Sequence, residues 1–112
     1  MRVQLLTFPG CPNAAASREV LQRLLESRGI TASIEEVNTA APETPEHLRG
    51  WGSPTILVNG VDIEGQEAPS GASCRLYRDA AGRVRGVPPE AAILGAVTRC
   101  ARLGVSLAPR AS

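Results

Sequence analysis

A buried strand that runs directly into a Pro-Gly turn and then a cysteine leaves few ways for a chain to continue. Residues 5–13 of this chain have that form: Leu5-Leu6-Thr7-Phe8-Pro9-Gly10-Cys11-Pro12-Asn13. Leu5, Leu6 and Phe8 supply the apolar run, and Pro9-Gly10 ends the strand and turns the chain. Pro12 suits the first position of a helix, where its missing N–H costs nothing. That reading puts Cys11 at or near the N-cap, beside unpaired amides and the positive end of the helix dipole. An anion is favoured at such a point, and for a thiol the anion is the reactive thiolate. The stretch points to sulfur chemistry without specifying the reaction.

The rest of the composition removes several alternatives. At 112 residues the chain has the length of one domain, here read as residues 1–112 with a frayed tail over 105–112. A formal net charge of +1 gives no electrostatic footprint for nucleic acid. Arg75, Arg78, Arg83 and Arg85 are read as the solvated face of a hairpin. No apolar run approaches the ~18 residues of a membrane span. The short apolar start, broken by Pro9, does not have the form of a signal sequence, so the expectation is a mature, cytoplasmic protein without a membrane partner. The three cysteines, Cys11, Cys74 and Cys100, are odd in number and widely spaced. This suits a reducing compartment rather than a disulfide framework. With His47 the only histidine, a structural zinc site is not expected. No cofactor is implied.

The hydrophobic pattern then predicts a sequence of elements. Met1 to Phe8 reads as a central strand. Pro12 to Arg28 reads as a helix whose apolar stripe is Ala16, Val20, Leu21, Leu24 and Leu25, with Gly29 as its stop. Thr31 to Val37 is a second strand, parallel to the first through a right-handed crossover. Thr44-Pro45-Glu46 opens a short helix, with Thr44 as cap. Thr55 to Val58 is a strong strand, Asn59-Gly60 a hairpin turn, and Val61 to Glu64 a short return. A second hairpin is expected over residues 74–87. Pro88-Pro89-Glu90 starts a last helix carrying Ile93, Val97 and Cys100, which ends near Gly104. Either Val61 to Glu64 or Cys74 to Arg78 supplies the fourth core strand. The order strand–helix–strand–helix–strand–hairpin–helix predicts an α/β sandwich around one small sheet.

That order, the cysteine at the first helix's mouth and Ser53-Pro54-Thr55 before the third strand resemble the thioredoxin superfamily. The resemblance spans about residues 2–104. It implies a thioredoxin-like fold: a four-stranded mixed sheet, βαβ then ββα, flanked by helices, with the extra hairpin near 74–87. It also implies a cis bond before Pro54, lying against the active-site sulfur. Ser53 would then present backbone groups to whatever is bonded to Cys11. Read from the residues alone, Pro54 is an ordinary trans proline at a strand start. The combination of Phe8-Pro9-Gly10-Cys11-Pro12-Asn13, Gly52-Ser53-Pro54-Thr55, Cys74-Arg75-Leu76-Tyr77-Arg78 and Gly86-Val87-Pro88-Pro89 further resembles small bacterial thioredoxin-family proteins often labelled alkylmercury lyase.

One departure from the superfamily pattern decides what chemistry stays open. Its usual redox motif is Cys-x-x-Cys, and here the run is Cys11-Pro12-Asn13-Ala14. A disulfide within one helical turn is impossible. Cys11 therefore works alone or with a distant partner, for which Cys74 is the candidate. The expected site is Cys11 and Cys74 as catalytic thiols, with Pro12, Ser53 and Pro54 positioning a thiol or disulfide substrate. The same two thiolates would hold a thiophilic metal such as mercury, since soft ligands select soft metals. Carbon–mercury cleavage would also need an acid, for which Asp62 and Glu64 are candidates. A binding module that has lost redox chemistry is a further alternative. Cys74 has a second reading as core filler, and Cys100 is read as core filler on the last helix.

Overall fold

A computed structural model describes residues 1–69, 71 and 74–99. The expectations for Cys100, Gly104 and the tail lie outside the described residues. The main sheet has four strands: β1 (Val3–Thr7), β2 (Ile34–Asn38), β3 (Thr55–Val58) and β4 (Val61–Asp62), in the order β2-β1-β3-β4. β1 pairs in parallel with β2, Leu6 opposite Val37, and antiparallel with β3, Leu5 opposite Ile56. β3 turns into β4 through Asn59-Gly60, with Leu57 opposite Asp62. Both turn residues have positive φ, 51° and 83°. A two-residue hairpin loop twisted to suit the sheet requires this, and Asn-Gly supplies it with little strain. The mixed sheet with helices is the thioredoxin-like arrangement, and its fourth strand is Val61–Asp62. The separate hairpin is β5 (Tyr77–Arg78) paired with β6 (Val84–Arg85).

The sheet divides the apolar core into two layers. Val3, Leu5, Ile56 and Val58 face one way, as alternate residues of neighbouring strands must. They pack with Leu21, Leu24 and Leu25 of helix α1 (Ala14–Ser27) and with Ile93, Ala96 and Val97 of helix α2 (residues 90–99). Leu6, Val37 and Leu57 face the other way, against Leu48 and Trp51. Each fully buried Leu or Ile in these layers contributes about 1.5–3 kcal/mol through loss of apolar surface to water. Trp51 belongs to this second layer, and its indole N–H donates to the His47 carbonyl at 3.1 Å.

α1 ends as its sequence predicts. Gly29 adopts φ 66°, its N–H reaches the Glu26 carbonyl, and the Ile30 N–H reaches that of Leu25. These paired bonds satisfy carbonyls that the helix end would leave open, and Ile30 folds onto the core. Three expectations need correction. On α1 it is Ser17, not Ala16, that is buried, so the stripe is shifted by one position at the first turn. The short second helix is a single 3-10 turn, Glu46–Leu48. Thr44 does not cap it, because its hydroxyl donates to the Asn38 carbonyl at 2.5 Å and secures the preceding loop instead.

Candidate functional site

Two successive turns carry the chain from β1 to α1, and Cys11 belongs to both. In the first, the Cys11 N–H donates to the Phe8 carbonyl at 3.2 Å. Pro9 and Gly10 fill its centre, with Gly10 at φ 84°. Proline followed by a residue of positive φ is the requirement of a type II turn. In the second, the Ala14 N–H donates to the Cys11 carbonyl at 3.4 Å. The helix proper begins later than the sequence implies. Asn13 is its N-cap, its carbonyl taking the first full helical bond from Ser17 at 3.0 Å. Cys11 thus precedes the cap by two residues and Pro12 lies in the turn, exposed. The thiol stands at the approach to the helix rather than on its first turn, and the dipole weakens over that distance.

Ser53 and Pro54 lead directly into β3. Both are fully buried and the bond between them is cis. The Ser53 hydroxyl accepts the Phe8 N–H at 3.4 Å, tying Ser53 to the turn that carries Cys11. On its other side, Ser53 forms a parallel β-bridge with Cys74, and its carbonyl accepts the Arg75 N–H at 2.9 Å. Ser53 is therefore bonded to segments leading to both cysteines. Cys11 is half-buried, Cys74 is exposed, and both are free thiols. Among the described residues, no group of three or more His, Cys, Asp or Glu side chains has the placement of a metal site.

Next to Pro54 and Thr55 is a polar network that the sequence does not announce. Arg75 was expected on a solvated face, yet its side chain is only 12% exposed. Its guanidinium grips Asp62 with both arms, at 2.7 and 2.8 Å, and also donates to the Thr55 hydroxyl at 3.1 Å. The Asp62 carboxylate is fully buried and takes two further bonds, from the Glu64 and Gln66 N–H groups, each at 3.0 Å. A carboxylate whose oxygens are so taken up by donors is a structural acceptor, which does not suit the acid role considered for it. The Arg75 guanidinium also lies over the Tyr77 ring, 4.9 Å from its centre. Burial by itself lowers the Arg75 pKa, but the Asp62 hydrogen bonds and neighbouring negative charge outweigh it, and the net shift is upward. The Tyr77 hydroxyl donates to the Pro54 carbonyl at 2.5 Å. Burial pushes this phenol well above its ordinary range, against the opposing pull of Arg75.

A signal for this network was present in Cys74-Arg75-Leu76-Tyr77. Arg75 and Tyr77 share the parity of one strand face, and that face turns inward. Leu76, of the opposite parity, is 66% exposed. The hairpin beyond it forms one wall of a groove of about 600 Å³, which Asn13 lines from the head of α1 and Asp79, Arg85, Gly86 and Pro88 line from the hairpin and its exit.

No helix among the described residues is long and apolar enough to cross a membrane. No protein-family model and no solved structure matches the chain. A thioredoxin of Methanocaldococcus jannaschii is 29% identical over 73 residues, which cover 62% of this chain and 82% of that protein. These comparisons give no support to the alkylmercury lyase label. The four-stranded mixed sheet and the similarity to a thioredoxin together support placing the chain in the thioredoxin-like superfamily.

Proposed function

We propose that this protein is a cytoplasmic thiol-disulfide oxidoreductase that uses Cys11 as nucleophile and Cys74 as the resolving thiol. The Cys11 thiolate attacks one sulfur of a substrate disulfide. A mixed disulfide forms at Cys11 and the other substrate sulfur leaves as a thiolate. The Cys74 thiolate then attacks the Cys11 sulfur, releasing the second substrate thiolate and leaving a Cys11–Cys74 disulfide. The substrate has gained two electrons and the protein dithiol has lost them. A reducing thiol closes the cycle, and no cofactor is needed. Ser53, Pro54 and Pro12 frame the position of the substrate sulfur. The observation that carries this reading is the double tie of Ser53, through its hydroxyl to Phe8 and through its backbone to Cys74–Arg75. It supports the choice of Cys74, on a distant segment, as the second thiol that Ala14 omits.

The test is titration with an aromatic disulfide whose released thiolate absorbs visible light, in a Cys100→Ser background. Two equivalents of aromatic thiolate are expected per chain, in succession. Cys74→Ser should stop at one equivalent, and Cys11→Ser should lose the fast one. A Cys11→Ser chain that reacts like its parent would remove Cys11 from the chemistry.

A further inference from the structure

We infer that the buried Arg75–Asp62 pair is a positioning device for the resolving thiol: it latches the Cys74 segment onto Ser53 and so sets the rate of the second step. The inference rests on the two-thiol reading above and adds to it the group that controls resolution.

Close to Cys74, the Arg75 side chain is the nearest anchor, with Tyr77 holding the segment two residues further on. Cys74 itself is exposed, and Leu76 beside it projects into solvent. The segment does not join the four-stranded sheet. Its backbone contact with the site is a single bridge to Ser53 and one bond from the Arg75 N–H, and two residues on the Tyr77 hydroxyl donates to the Pro54 carbonyl. One isolated bridge contributes little net stability. The Arg75 side chain supplies what the backbone lacks. It passes inward to a carboxylate on β4, whose position is fixed by the β3–β4 hairpin and by two backbone N–H groups. Two parallel charge-assisted bonds fix direction as well as distance, because the guanidinium fork and the carboxylate must be coplanar. A third bond, from the Nη1 that also reaches Asp62, goes to Thr55, one residue beyond Pro54. The residue next to Cys74 is thus clamped to β3, which starts directly after Pro54, and to its neighbour β4.

Such a clamp bears on resolution and not on the first attack. Cys11 is held by its own turns and by Phe8, none of which involves Arg75 or Asp62. The second step is intramolecular, and its rate depends on how much of the time the Cys74 sulfur is held within reach of Cys11. Loss of orientation by about 1 Å in such a step costs on the order of 100-fold.

The experiment is stopped-flow reaction of the full chain, in the Cys100→Ser background, with the same aromatic disulfide, following release of the first and second equivalents separately. Two variants are compared with the parent. Asp62→Leu combined with Arg75→Met removes the pair while filling its space with apolar groups, which buried pairs commonly tolerate. Arg75→Lys keeps the charge but loses the fork. The expected result is an unchanged first phase in both, with the second phase slowed roughly 10- to 100-fold in the double variant and less in Arg75→Lys. Near-UV circular dichroism identifies which variants are folded. If the folded variant or variants release the second equivalent at the parent rate, the latch role is wrong; Arg75→Lys decides alone if the double variant does not fold. If Arg75→Lys also fails to fold, the pair is a folding requirement and the positioning role is likewise rejected. A parent chain that shows no first phase would instead sink the two-thiol reading itself.

Discussion

The hydroxyl of Tyr77 donates to the carbonyl oxygen of Pro54 at 2.5 Å, with both residues buried. The bond joins the start of the extra hairpin to the Ser53–Pro54 turn. Tyr77→Phe keeps the ring in place and strands the Pro54 carbonyl without its donor. A buried acceptor left unpaired costs about 1–3 kcal/mol. The urea midpoint of Tyr77→Phe should fall accordingly with an unchanged slope. A midpoint equal to that of the parent would show that water replaces the phenol.

The same phenol predicts alkaline behaviour. Burial is the chief cause of its raised pKa, with Asp62 and Glu64 adding to it and Arg75 opposing. In the unfolded chain the group titrates near the ordinary value of about 10. A raised folded value means that its contribution to stability is complete below about pH 10 and declines as pH climbs from there towards the folded value. Tyr77 is the chain's only tyrosine, so phenolate absorbance reports it alone. Folded protein should show almost no phenolate at a pH of about 10, where a free tyrosine is half ionised. Half ionisation there in the folded chain would contradict the buried placement.

Gly86 and Asn13 predict a coupling between the hairpin exit and the head of α1. A Cβ on Gly86 would lie 2.3 Å from the Asn13 side-chain nitrogen and 2.9 Å from its Cγ. Gly86→Ala therefore displaces the far end of the Asn13 side chain, at a half-buried site, and should destabilise by about 1 kcal/mol. The Asn13 side chain makes no capping bond, so Asn13→Ala gives up none. In that background Gly86→Ala should change stability by no more than about 0.5 kcal/mol. Denaturant midpoints of the four chains in this cycle measure the coupling, and equal losses in both backgrounds would exclude it.

The sheet was legible because its strands are short, apolar and separated by strong punctuation. Thr55 to Val58, Asn59-Gly60 and the stop at Gly29 depend on local preferences that a sequence states directly. The head of α1 was less legible. Pro12 suits a first helical position, but the Phe8–Cys11 turn and the following turn through Ala14 occupy it first, and the helix starts beyond them. The network behind Pro54 was hidden for a different reason. Asp62 and Arg75 are 13 residues apart and charged, and charge in a sequence reads as surface. Their burial follows from a tertiary contact between β4 and the Cys74 segment, which no local pattern encodes.

The central claim is that Cys11 and Cys74 form one redox pair across Ser53. Its most direct measurement is a peptide map of the unmodified full chain after one equivalent of a small alkyl disulfide, with remaining thiols blocked at acid pH. The account predicts a Cys11–Cys74 crosslink within a single chain and a free Cys100. Cys11 left in a stable mixed disulfide beside an unreacted Cys74, or crosslinked to Cys100 instead, would contradict it.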